Sequence, residues 1–408
     1  MSSFSIPLSG LESSSTALNT IANNLSNMNT TAFKSQDVSF SDLFYQQIGS
    51  SGSGNPLEVG AGTQVAATST DFTEGSINST GNSGDVAIDG NGFFVLQNGG
   101  STLYTRDGSF TLSANGALTS QAGLQVMGYP VVNGVVNTNA PLTAIQVPVG
   151  QAEQPAPTAN FSMTANLDAS AAVGTAVPAQ ITLYDSLGIS HAATVNFTKT
   201  GAGTWDYSIS LPAGDATGGT NLTGTLTFDS NGNLVSPAGN VTGITFTGLS
   251  DGASNMNLNW NLYGSNNQPT LTQFASTSDV SATNQDGYAS GEYTGFTIDS
   301  NGLVSAQFSN GKSTSVGQLA LANVTNPEGL QILGGNNYAT TLASGAASPG
   351  AAGVGGLGTL QDEALEQSNV NISTQFSDLI VAQQAYEASS KAVTTFDTVS
   401  QDTINMIH

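Results

Sequence analysis

Two amphipathic stretches lie at opposite ends of this chain, and any fold it adopts has to give each of them a partner. Leu8, Leu11, Leu18, Ile21, Ala22, Leu25 and Met28 recur at the three-and-four spacing that places side chains on one face of an α-helix. A single helix of about 20 residues, roughly 30 Å long, cannot bury its own stripe and is marginal in water by itself. The stretch from Asn369 to His408 offers a matching face through Ile372, Phe376, Leu379, Ile380, Tyr386, Val393, Phe396, Val399, Ile404 and Ile407. The two ends are therefore expected to pack together as a coiled coil, with neighbouring molecules covering what one pair leaves exposed.

Between the ends the pattern is that of strands and turns. A mixed segment through Phe40, Leu43, Phe44 and Ile48 leads into Gly49-Ser50-Ser51-Gly52-Ser53-Gly54, a flexible linker signal. From about Asp71 to Pro130 strand-like text dominates, clearest from Asp85 to Leu96, and Asn91-Gly92 and Asn115-Gly116 suit tight hairpin turns. The middle, about Val147 to Val280, opens in a Pro-rich connection and continues as short strands separated by turns such as Asn231-Gly232, which predicts a β-sandwich or barrel. Both tryptophans, Trp205 and Trp260, fall there. From about Asn284 the style of the first β region resumes through Ile298-Asp299-Ser300-Asn301-Gly302, so the middle domain reads as an insertion in a loop of the inner one.

The resulting expectation is a mainly β chain with α-helical termini, in which nested β-sandwich or barrel domains stand beside N- and C-terminal coiled-coil helices. Residues 1–34 and 365–408 form the helical domain, 35–70 and 345–364 connect, 71–146 and 281–344 form an inner β domain, and 147–280 an inserted outer one.

Composition narrows the function classes. Only 8% of the 408 residues are charged, against about 25% in typical soluble proteins. Five basic against 28 acidic residues give a formal net charge of -23, so nucleic-acid backbones and anionic membranes would repel the chain. There is no cysteine, hence no disulfide, thiolate nucleophile or thiolate metal site. No run reaches the 18 or so apolar residues of a membrane span, and no basic region precedes an apolar core at the N-terminus, so neither membrane insertion nor a cleavable signal is expected.

Catalytic, cofactor and metal sites are not expected either. Gly353-Val354-Gly355-Gly356-Leu357-Gly358 matches a dinucleotide-binding glycine pattern but sits in a Gly/Ala tract without a hydrophobic strand before it. Asp229-Ser230-Asn231-Gly232-Asn233 begins like a calcium loop, yet Leu234 stands at the glycine position and Asn240 at the closing glutamate. His191 is the only histidine away from the C-terminus, and a lone histidine lacks the second ligand or base that metal or triad chemistry needs. It reads as a surface or strand residue. Asp85, Asp89, Asp185 and Asp299 fit hairpin roles better than a paired acid and base.

Four stretches carry a family resemblance. Ala22-Asn23-Asn24-Leu25-Ser26-Asn27-Met28-Asn29-Thr30-Thr31-Ala32-Phe33-Lys34 resembles the signature of the bacterial flagellar axial proteins, which build rod and hook, with Asn23, Asn24, Asn27, Thr30, Phe33 and Lys34 as its motif residues. That family usually has glycine before the Phe-Lys pair, where a left-handed turn would follow; Ala32 stands here. Read from the residues, the Asn-rich run is where a helix frays into a loop. The stretches from Tyr104 to Phe110 and Gly123 to Pro130 are similar to the same family, as is the closing Gln367-Ser368-Asn369-Val370-Asn371-Ile372-Ser373.

The resemblance implies a non-enzymatic structural subunit of the flagellar hook, a flexible curved tube that transmits torque from rod to filament as a universal joint. It also implies self-assembly into a helical homopolymer, contacts with distal rod, hook cap and hook-filament junction proteins, passage through the flagellar export apparatus, and an extracellular location. A distal rod subunit of the same family is the alternative nearest to it, which the middle insertion argues against. An extracellular β-rich glycan-binding adhesin would explain the composition but neither the amphipathic ends nor the motifs.

Overall fold

The computed structural model describes residues 5–50, 56–264 and 266–406. Ser51 to Gly54 of the linker signal and Ile407 of the C-terminal stripe lie outside them. The chain is mainly β with one helix near each end: α1 spans Ser5–Ser26 and α2 spans Ile372–Met406. Two compact units are formed, one from Met1–Val149, Gly295–Ala306 and Thr314–His408, the other from Gly150–Thr294 and Gln307–Ser313.

In the first unit, α1 ends where the asparagine run begins to bond to its own backbone, the Asn27 amide donating to the carbonyls of Asn23 and Asn24. Ala32 then adopts φ +54° and is fully buried, its amide donating to the Glu366 carbonyl at 2.9 Å. The left-handed turn is thus kept without glycine, at a cost of about 1–2 kcal/mol for a residue with a Cβ. At the other end, Asn371 caps α2, its Oδ1 accepting from the amides of Ser373 and Thr374 at 3.0 and 3.2 Å. Within residues 35–70, expected as a connection, Gln36–Asp42 pairs antiparallel with Thr63–Thr70, and between those two strands Gln46–Ser50 pairs with Pro56–Val59. The alternation there is too weak to read, because Phe40, Phe44 and Tyr45 remain exposed.

The β core of this unit joins distant parts of the chain. Phe93–Asn98 and Ser101–Thr105 form a hairpin; Leu321–Asn323 pairs with the first strand and Asn337–Ala339 with the second. Thr359–Asp362 pairs with Val86–Asp89, and Ala364–Glu366 with Ile77–Ser79. Phe93, Phe72 and Tyr338 meet edge to face at centroid distances of 5.3–5.8 Å. The predicted hairpin at Asn91-Gly92 is corrected here: Val86–Asp89 pairs with the C-terminal strand instead of with Phe93–Asn98. By contrast Asn115-Gly116 does turn between paired strands, with positive φ only at the glycine.

The second unit is a β-sandwich. One sheet contains Ala176–Tyr184, Ser190–Gly201, Thr204–Ser210, Thr223–Phe228 and Leu234–Ser236; the other contains Ala216–Thr220, Val241–Leu249, Met256–Trp260, Asn160–Asn166 and Leu271–Thr272, with Asp279–Gln285 pairing with Asn160–Asn166. The boundary expected at residue 280 falls inside that last strand. Alternate residues from both sheets fill one core around Trp205, Trp260, Phe161 and Phe197, with the Trp260 ring stacked on Phe161 at 5.8 Å. The Asp229 turn is a turn: its Oδ1 accepts from the Asn231 and Asn233 amides at 2.9 and 2.8 Å.

Candidate functional site

The helix pair differs from the coiled coil expected of it in one respect. The side chains buried along it are small or polar, Ser13 and Asn24 on α1 and Gln375 and Ala382 on α2. Gly10 lets the helices approach, since a Cβ there would stand 3.0 Å from Ser389 Oγ. The large apolar side chains look outward: Leu8, Phe376 and Ile380 are 56%, 53% and 54% exposed, and Met28, Ile372, Tyr386, Phe396 and Val399 are also exposed. Leu11, Leu18, Ile21, Leu25, Leu379 and Val393 are half-buried. Beside the seam lies an open groove of about 520 Å³ lined by Ala17, Ile21, Val38, Phe40, Val381 and Ala385 among others.

The helices are anchored to the β core by polar contacts that converge on the motif residues. Asn24 Nδ2 donates to the Gln36 carbonyl at 2.8 Å and to Gln375 Oε1 at 3.1 Å, and its Oδ1 accepts from the Gln36 amide at 3.0 Å. Asn27 Nδ2 donates to the Asn23 carbonyl at 2.9 Å while its Oδ1 accepts from Thr30 at 3.1 Å. Phe33 is half-buried, and its carbonyl accepts from the Asn369 amide. Asn369 Oδ1 in turn accepts from the Ser35 amide at 2.8 Å.

Lys34 is buried as well. Its Nζ lies 2.6 Å from Glu366 Oε1 and 2.7 Å from the Thr73 carbonyl, and Arg106 Nε lies 2.9 Å from Glu366 Oε2. The guanidinium also donates to the carbonyls of Gly90 at 2.7 Å, Gly92 at 2.9 Å and Ile88 at 3.2 Å. Those contacts explain why residues 90–92 do not close a hairpin: the carbonyls of Gly90 and Gly92 serve a cation, and that of Asn91 accepts from the Gly358 amide at 2.7 Å. Burial pulls the Lys34 ammonium below its ordinary range, opposed by Glu366, and burial pushes the Tyr338 hydroxyl up to about 12, with the Glu366 charge adding to it. The arrangement has two cations on one buried carboxylate, so removing Glu366 would strand both. Gly108, in the Tyr104–Phe110 motif, is required by space: a Cβ there would meet the Val86 carbonyl oxygen.

The sequence places Lys34 in a motif without showing its partner. The pairing of Arg106 with Glu366 left no local signal, because it joins residues 260 apart in the chain.

Four family models match successive parts of the chain. A flagella basal body rod protein model covers residues 6–34, a flagellar hook protein FlgE/F/G D1 domain 87–164, a flagellar basal body protein FlaE D2 domain 166–288, and a flagellar basal body rod FlgEFG protein C-terminal model 361–406. The flagellar hook protein FlgE of Salmonella typhimurium is 35% identical, with 99% of this chain and 100% of the relative covered. This chain belongs to the flagellar hook protein FlgE family. The relatives of Escherichia coli and Treponema pallidum are 34% and 33% identical over 99% and 98% of each chain. The crystal structure of Helicobacter pylori flagellar hook protein FlgE2 shares the fold, with a TM-score of 0.53 at 15% identity over 71% of this chain and 100% of that one.

Set against the family models, the ion cluster takes one member from each of three segments: Lys34 from the N-terminal model, Arg106 from the D1 model and Glu366 from the C-terminal model. With the Asn24–Gln375 and Asn369–Ser35 contacts it joins these segments of the chain. No helix among the described residues is long and apolar enough to cross a membrane.

In the second unit, His191 is not the isolated residue the sequence suggested. It is buried at the start of Ser190–Gly201, with Nδ1 3.0 Å from Asp215 Oδ2 and Nε2 3.2 and 3.3 Å from Asp185 Oδ2 and Asp251 Oδ2. The partners were invisible in the sequence because Asp215 and Asp251 lie 24 and 60 residues further on.

Proposed function

We propose that this chain is the structural subunit of a bacterial flagellar hook, and that it polymerises through its terminal helices into a curved, flexible tube joining rod to filament. The observation that carries the reading is the outward-facing stripe on α1 and α2. Leu8, Phe376, Ile380 and Val399 are large apolar side chains left in water by a seam of small and polar residues. Other copies would cover that stripe in a helical lattice whose contacts do not close. Surfaces rich in Ser, Thr, Asn and Gly can change partners along a bent tube without stranding an ion. The same role implies contact with distal rod, hook cap and junction proteins at the tube ends, export through the flagellar apparatus without a cleavable signal, an extracellular place, and no catalytic activity.

The test is Phe376→Asp in the full chain, read by electron microscopy under polymerising conditions. Because Phe376 is exposed in the single chain, the melting temperature should stay within the range of a surface change, about 0.5 kcal/mol. Tubes should be lost. Tubes formed at the normal rate would place the assembly face elsewhere.

A further inference from the structure

We infer that the cluster of His191, Asp185 and Asp251 in the second unit is a divalent metal site that staples the two sheets of the sandwich together, with Asp215 orienting the histidine. Nothing in the hook role calls for it, and the inference rests on the second unit alone.

The three donor atoms converge. His191 Nε2, Asp185 Oδ2 and Asp251 Oδ2 all lie within 4.8 Å of one another, and the two distances from Nε2 are 3.2 and 3.3 Å. Ligands of a tetrahedral ion at about 2.0–2.2 Å stand roughly 3.3–3.6 Å apart, so the two separations from Nε2 are close to those of neighbouring ligands in such a site. Each carboxylate is also aimed. Asp185 Oδ1 is occupied by the amides of Leu187 and Ile189 at 2.8 and 2.9 Å, and Asp251 Oδ1 by the amide of Ala253 at 2.9 Å. In both, the oxygen left over is the one that points at Nε2.

On the far side of the ring, Asp215 Oδ2 sits 3.0 Å from Nδ1. Accepting the Nδ1 proton fixes the tautomer that presents a bare Nε2, the outer carboxylate–histidine arrangement of metal sites. The alternative is an imidazolium in the same place. It has a single proton on Nε2 to share between two carboxylate oxygens, and it leaves three carboxylates against one positive charge in a pocket where Asp185 is wholly buried and His191 nearly so. A doubly charged ion satisfies all three donors at once. With one nitrogen and two oxygen ligands, Zn²⁺ or Mn²⁺ suits the set, and magnesium, which prefers oxygen, does not.

The positions give the ion a structural task. Asp185 and His191 flank the turn between Ala176–Tyr184 and Ser190–Gly201 in one sheet, whereas Asp215 precedes Ala216–Thr220 and Asp251 follows Val241–Leu249 in the other. An ion there would bridge the two sheets beside Leu183, Ala193 and Leu249 of the apolar core.

The experiment uses full-length protein stripped with EDTA and kept below its polymerising concentration. Zn²⁺ is added in a calorimetric titration and in thermal scans followed by tryptophan emission, which reports this unit because it holds both Trp205 and Trp260. One Zn²⁺ should bind per chain and raise the melting temperature, because an ion that binds only the folded state stabilises it. Asp251→Asn and His191→Gln should weaken binding by at least about 100-fold, and Asp215→Asn, which leaves all three donors in place, by about 10–100-fold. Should His191→Gln fail to fold, Asp251→Asn and Asp215→Asn decide the matter, since both side chains are partly exposed. Absence of saturable binding would overturn the proposal. So would binding that survives in Asp251→Asn, or a Mg²⁺ effect equal to that of Zn²⁺, since either would describe loose attraction of cations to an acidic surface.

Discussion

The terminal helices and the sandwich unit use the same kinds of apolar residue to opposite ends. In the sandwich, Trp205, Trp260, Phe161 and Phe197 are shut off from water by the unit's own two sheets. On the helices, Phe376, Ile380 and Leu8 remain more than half exposed, and what they pack against within the chain is a seam of serine, asparagine, glutamine and alanine. One region is complete as a single chain. The other leaves an apolar stripe in water, which other copies would cover under the proposed function, and its single-chain form is held by the buried Lys34, Glu366 and Arg106 cluster at its base. Large apolar residues are therefore a poor guide to where a single chain is stable, and burial has to be assigned region by region.

The comparison breaks most sharply at the sandwich core. Trp260→Ala should destabilise the second unit by about 3–5 kcal/mol through lost contacts and a cavity, seen as an early transition in tryptophan emission from Trp205. The equivalent truncation Phe376→Ala should leave single-chain melting unchanged, and equal losses in the two variants would abolish the distinction. At the base of the helices, Glu366→Gln should cost roughly 3 kcal/mol, because the amide offers one acceptor oxygen where the carboxylate gave one to each cation, and both lose the charge they touch. Chemical denaturation should show that loss in the first unit, with the sandwich transition in place; a variant as stable as the parent would mean that the backbone carbonyls alone satisfy Lys34 and Arg106.

Alkali should separate the regions more gently. Tyr338 ionises near pH 10 in the unfolded chain and only at about 12 in the folded one. Between those values the folded state holds the proton that the unfolded state has released, so stability is full below pH 10 and falls as pH rises, by about 2–3 kcal/mol. Tyr338→Phe should remove that fall, and an unchanged alkaline limb in the variant would assign it to other groups. The smallest effect belongs to Ala32→Gly. Relief of the positive φ outweighs the added chain entropy and should stabilise the first unit by roughly 0.5–1 kcal/mol, read as a rise in its melting midpoint; a drop would show that the buried methyl contributes more than the backbone strain removes.

The sequence by itself determined those features whose causes lie within a few residues. The three-and-four spacing from Leu8 to Met28 and from Ile372 to Val399 marks both helices, Asn371 caps the second, and Asn115-Gly116 and Asn231-Gly232 turn where they should, since a cap or a turn is a matter of near neighbours and positive φ. The alternating runs around Trp205 give the sandwich, because period two is a local property of a strand with one buried face. Tertiary structure decided the rest. It chose Ser13, Asn24, Gln375 and Ala382 for the helix seam, where close approach favours small side chains and a Gln36 amide needed Asn24. It redirected residues 90–92 from a hairpin to Arg106, set Lys34 against a carboxylate 332 residues away, and gathered His191 with Asp185, Asp215 and Asp251 from both sheets. Contacts of that range leave no periodicity in a single sequence; they exist only once the folded backbone has brought their ends within hydrogen-bonding distance.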